Sequence, residues 1–162
     1  MITCCDAYPG IVGEVEAAMA AVAQRKVGHA GKDGYVNVMV HGNHLPCLFP
    51  QHGPGRKHRR LIALEDWQEE IVRAFPAAFL RGLFHSDGAR VSNWATRVVA
   101  GEKRRYDYPR WQFSNRSEDI LAMCGSALDL AGVAWRGSGP WTISVSRREA
   151  VARLDTLIGQ KA

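Results

Sequence analysis

Two stretches of this 162-residue chain hold side chains whose types and spacing could do chemistry. The first, HGNHLPCLFPQHGPGRKH, carries His41, His44, Cys47, His52 and His58, all of them zinc-ligand types. Their intervals fit no common zinc pattern, and Cys47 stands in an apolar turn where a buried thiol is ordinary, so no zinc site is expected. The second stretch, FPAAFLRGLFHSDGARV over residues 75–91, ends a predicted helix on an acid. Phe79, Leu80, Leu83 and Phe84 recur at helical spacing. Pro76 suits a first turn and Gly88 a stop, which predicts a helix from Pro76 to Asp87. Asp87 then sits where the helix dipole is negative, and an acid there costs roughly 0.3–1 kcal/mol. A solvated aspartate before a glycine turn is the plain alternative to a functional carboxylate.

The elements around these residues follow from pattern. MITCCD reads as a short strand, and the helix after it puts Ile11, Val15, Met19 and Val22 on one face. A hairpin turns at Lys32-Asp33-Gly34, with Val36, Val38 and Val40 alternating beyond it. NHLPCLFPQ is a short helix or turn, HGPGRKHRR a basic connector, and ALEDWQEEIVRAF a helix with acids in its first turn. After residue 88 come strands over 89–99 and 106–115, flanking a basic loop AGEKRR. Ser117 caps a helix whose apolar face is Ile120, Met123, Cys124, Ala127, Leu128 and Ala131. A second hairpin turns at Gly137-Ser138-Gly139, and RREAVARLDTLIG closes with a helix.

The order strand, helix, hairpin, short helix therefore occurs twice. Ile11 falls opposite Ile120, Val38 opposite Ile143 and Leu48 opposite Leu154, an offset of about 105 to 109 residues that marks an internal duplication. The second copy holds two elements the first lacks, namely the helix ending at Asp87 and the strand after it.

Composition bounds what such a chain does. At 46% hydrophobic and 23% charged it is ordinary for a globular protein. A net charge of +5 fits a polyanionic partner, nucleic acid before membrane. No run of eighteen or so apolar residues exists, so no membrane span is expected. The N-terminus lacks a basic region followed by an apolar core, so no signal peptide is expected. Four cysteines without a C-x-x-C pair read as reduced thiols in a cytoplasmic protein.

LRGLFHSDG, from Leu80 to Gly88, resembles the signature of the LAGLIDADG homing endonucleases at Leu80, Gly82, Leu83, Asp87 and Gly88. The elements that follow resemble the family's repeat of helix, two strands, helix, two strands, helix. The resemblance implies an α+β fold with a curved antiparallel sheet, present as one and a half αββαββα copies. Residues 1–58 would be an incomplete first repeat without its motif helix and first strand, 59–75 a connecting helix, and 76–162 a complete repeat. In that family two motif helices meet side by side, which assigns Leu80, Gly82, Leu83 and Phe84 to helix packing in a homodimer. It assigns Asp87 and Gly88 to a divalent cation, usually Mg2+, that activates water. A cation beside Asp87 would also offset the dipole penalty. Lys57 and Lys161, each just after a repeat's last helix, match the position of a lysine that supports the attacking water. His85 departs from an often acidic position, and Arg81 is expected on the outer face of the helix.

The family grips double-stranded DNA with the concave face of its sheet. That implies outward-facing Arg90, Asn93, Arg97, Arg110, Gln112, Ser114, Arg136 and Arg147 on the strands, since Arg, Asn and Gln read base edges. Lys103, Arg104 and Arg105 on the hairpin loop would reach phosphates. In the first half, His29, Lys32, Asn37 and His41 occupy comparable places. Trp67, Trp94, Trp111, Trp135 and Trp141 are expected in packing, not in base stacking. Two functions compete: a metal-dependent DNA endonuclease completed by dimerisation, and a DNA-binding protein or regulator of the same fold that has lost cleavage.

Overall fold

The computed structural model describes residues 1–161. It is an α+β protein with two antiparallel sheets. No helix among the described residues is long and apolar enough to cross a membrane. The chain divides into two compact units, Met1–Pro54 with Gln160 and Lys161, and Gly55–Gly159. The division thus falls at 54/55, ahead of the expected 58/59, and the 59–75 segment belongs with the second unit.

The first unit runs β1 (Ile2–Cys5), α1 (Pro9–Ala23), β2 (Gly28–Lys32), β3 (Tyr35–Met39) and α2 (Leu45–Leu48). Its sheet order is β1-β3-β2. Asp33 and Gly34 make the tight turn between β2 and β3. Gly34 takes φ 86° there, a left-handed conformation that favours glycine, and its N–H donates to Asp6 Oδ2 at 3.0 Å. Val38 and Cys4 are buried against α1. The expected apolar face of α1 is not covered in the same way: Ala23 is its one buried residue, and Val22 is 51% exposed.

The second unit begins with a 3-10 turn at Lys57–Arg59 and α3 (Asp66–Ala74). A capping box starts α3, the Glu65 side chain accepting from the backbone of Gln68 while Gln68 returns the bond to Glu65. Then follow α4 (Pro76–Asp87), β4 (Gly88–Val99), β5 (Glu102–Ser114), α5 (Glu118–Leu130), β6 (Arg136–Gly137), β7 (Thr142–Val145) and α6 (Arg148–Ile158). The sheet order is β4-β5-β7-β6. Pro109 lies in β5 opposite Ser92 but outside the segment that pairs with β7, so its missing N–H breaks no ladder bond on that side.

The helices of this unit lie on one face of its sheet. Leu80 and Phe84 of α4 are fully buried with Trp111, Phe113, Cys124, Leu128, Val145, Leu154 and Ile158. The Phe84 ring meets Trp111 edge-on at 5.6 Å and Phe113 at 5.7 Å. This corrects the dimer assignment of Leu80 and Phe84: both are spent in the core of their own unit, and Leu83 packs against that core half-buried. Helical spacing shows that a face is apolar but not what covers it. Arg81 is not on an outer face either, since it donates to the carbonyl of Ile158 and satisfies the end of α6. The β1–β3 and β5–β7 ladders each hold four antiparallel pairs, and matched end to end they set Val38 at the place of Val145 in place of Ile143.

Candidate functional site

Asp87 closes α4 at the corner of the sheet where β4 begins and β5 ends. Its side chain is 43% exposed, and Lys57 Nζ stands 3.9 Å from Oδ2. The same oxygen accepts from Asn115 Nδ2 at 3.1 Å. Asn115 is buried, and its Oδ1 accepts from the N–H of Ser117 at 3.0 Å while its own N–H donates to the Trp141 carbonyl. Ser117 in turn caps α5, its hydroxyl accepting from the N–H of Ile120 at 3.4 Å. The carboxylate is therefore aimed by a buried amide anchored at the start of a helix. Oδ1 makes no hydrogen bond among the described residues.

Gly88 is fixed here by contact. A Cβ on it would lie 2.6 Å from the Phe84 carbonyl oxygen and 2.7 Å from Phe84 Cα. No side chain can occupy the position without moving α4 off the start of β4.

The structure thus brings Lys57, Asp87 and Gly88 together. Lys161 belongs to the first unit, where its ammonium lies over the Tyr8 ring, 5.3 Å from the centroid. Asn115 was missed in the sequence because it reads as the last residue of the strand over 106–115, although the SNRSED segment around it gave the only available signal. Among the described residues no three His, Cys, Asp or Glu side chains converge on a common point, at His41–His58 or elsewhere. One carboxylate with an open oxygen does suit Mg2+, which takes one or two protein carboxylates together with waters and substrate phosphates.

Facing pairs across the ladder sort the proposed DNA-contacting residues. Gly88 with Phe113 and Arg90 with Trp111 mark the helix-covered face. Asn93, Arg97, Arg104, Arg110, Gln112, Ser114 and Arg136 pair on the other face, turned away from the helices. Arg97 stands directly opposite Arg104, a like-charge pair unfavourable on its own. Arg104 also has Glu102 at 3.8 Å. Arg110 Nη2 donates to the Tyr108 hydroxyl at 3.3 Å, and no acid pairs with this guanidinium among the described residues.

Three assignments are corrected by this register. Arg90 has the wrong parity to face outward and instead forks both its Nε and Nη2 onto Asp155 at 2.9 Å. Trp111 Nε1 donates to the same carboxylate at 2.7 Å. The Arg90 bonds hold the Asp155 carboxyl below its usual range against desolvation, with help from Trp111. Lys103, Arg104 and Arg105 are not in a loop, because the turn is only Ala100-Gly101, at φ 52° and 83°. Arg105 is engaged by Asp107 at 2.7 Å and lies over the Trp94 ring, on the face opposite Arg104. Arg147 is off the sheet, at the N-cap of α6.

No protein-family model and no curated protein matches the chain.

Proposed function

We propose that the chain binds double-stranded DNA across the face of its four-stranded sheet that is turned away from the helices. On this reading Asp87 is half of a divalent-cation site for phosphodiester cleavage, completed by Asp87 of a second copy. The observation that carries the reading is the concentration of Arg97, Arg104, Arg110 and Arg136 with Asn93 and Gln112 on one face. Opposed arginines relax when phosphates lie between them, and asparagine, glutamine and arginine are the side chains that distinguish base edges. The helix-strand-strand-helix-strand-strand-helix order and the Leu80–Gly88 motif support the LAGLIDADG likeness.

The roles of the chain's own groups follow from the geometry. Asn115 holds Oδ2 of Asp87 and leaves Oδ1 without a hydrogen bond among the described residues. Lys57 is 56% exposed, so its ammonium can leave Asp87 for a phosphate oxygen once a cation replaces it. The cation, when bound, polarises the phosphodiester and lowers the pKa of its water. The face of α4 open to a second copy is the small-residue strip Ala78, Gly82 and Ser86, since Gly82 has nothing within 4 Å of its Cβ position.

Asp87→Asn should abolish magnesium-dependent cleavage of a duplex library while leaving salt-sensitive binding intact. Loss of both together would place Asp87 in folding or in DNA contact instead. A second reading, DNA binding without cleavage, is favoured by the internal neutralisation of Asp87 by Lys57. It predicts no magnesium-dependent nick from the wild type under any condition that gives binding.

A further inference from the structure

Within the Gly55–Gly159 unit a polar cavity of about 690 Å³ lies between the segment 58–61, the start of α5 and Trp141. Arg59, Arg60 and Arg116 line it. Arg60 is the one withdrawn from solvent: its Nε and Nη1 are buried and meet no hydrogen-bond partner. None of the three arginines forms an ion pair among the described residues. A buried guanidinium nitrogen without an acceptor has lost its hydration and gained nothing in return, so it calls for a water or an ion. Water would satisfy the N–H groups alone, whereas an anion satisfies the N–H groups and the charge together.

Two acids share the lining and do not supply that acceptor. Asp119 Oδ2 is engaged by the N–H of Ile62 at 2.8 Å, and Glu118 is exposed. Three arginines against two carboxylates leave the cavity positive. Its volume exceeds what a bare oxyanion fills and falls among pockets that take small organic ligands. Trp141 supplies an apolar wall; expected in packing, it is 42% exposed and stands outside the core cluster. We propose that this cavity binds the phosphate monoester of a nucleotide, the phosphate held by Arg60 and Arg116 and the base laid against Trp141. A guanidinium meets phosphate oxygens through two parallel bonds, and an indole face stacks any base. No residue of the cavity belongs to the sheet face assigned to duplex DNA, so the two readings stand or fall separately.

The test is calorimetric titration of the full chain with AMP, inorganic phosphate and sulfate. AMP should bind saturably and more tightly than either inorganic anion. Arg60→Met should weaken AMP binding at least about tenfold. Arg116→Met should weaken it as well, and because Arg116 is exposed this variant keeps the test decisive if Arg60→Met fails to fold. Trp141→Ala should weaken AMP while leaving inorganic phosphate unchanged. No AMP binding by the wild type would overturn the proposal, as would an affinity that Arg116→Met leaves unaltered, or sulfate binding as tightly as AMP. A terminally phosphorylated oligonucleotide that outcompetes AMP would support the proposal with a strand end as the source of the phosphate. One that competes less well than AMP would support it with a free nucleotide.

Discussion

Lys57 Nζ lies 3.9 Å from Asp87 Oδ2, so the acid at the end of α4 is met by the basic connector at Lys57–Arg59. Both side chains are about half exposed, and a pair of this kind contributes between 0 and ~1 kcal/mol to stability. Lys57→Met should leave the urea midpoint almost unchanged while lowering the cleavage rate. A large fall in stability with unchanged cleavage would make the pair a fastening and remove Lys57 from the reaction.

Asn115 holds both Asp87 and the backbone N–H of Ser117 from a buried position. Asn115→Ala leaves that N–H without its acceptor and should cost about 1–3 kcal/mol by denaturant unfolding. Asn115→Asp restores the acceptor but sets a like charge beside Asp87. It should recover part of the stability and none of the cleavage, and recovery of both would show that the amide does not aim the carboxylate.

Asp155 sets an acid limb. Its carboxyl is held below the usual range by Arg90 first and Trp111 second. A group with a lowered native pKa contributes fully above its unfolded value, about pH 4, and loses that contribution as pH falls through the native value. Asp155→Asn should therefore lower stability at pH 7 and flatten its decline below about pH 4. Unchanged steepness in that window would mean that other carboxyls govern acid unfolding.

Arginines on the two sheet faces should behave differently. Arg97→Ala and Arg104→Ala should each reduce the slope of log affinity against log salt by about one, whatever the duplex sequence. Arg90→Met should leave that slope alone and destabilise the fold, because its fork is committed to Asp155. An equal effect of all three on the slope would mean that the sheet does not present one face to DNA.

Much of this architecture was legible as pattern. Pro76 and Gly88 bounded α4, and Ser117 marked α5, because caps and breakers act locally. What escaped was set at a distance. Arg90 and Asn93 cannot share a face, but the phase of β4 is decided by Gly88 pairing with Phe113, which local sequence does not state. The basic run at Lys103, Arg104 and Arg105 looked like a loop until Ala100 and Gly101 proved a sufficient turn. Leu80 and Phe84 announced an apolar face without naming its partner, and the uncovered face of α1 shows that the same pattern can also remain open.

The Ala100-Gly101 turn leaves the β4–β5 hairpin no slack. One residue inserted in either strand turns every cation beyond it to the opposite side. Two inserted in each strand keep the faces and advance the tip by about 7 Å, near the length of two base-pair steps. The hairpin is in that sense a ruler graduated in pairs. If the sheet reads a duplex as proposed, descendants of this chain would change how far along it they reach by whole graduations, in jumps, while Asp87 at the base stayed where it is.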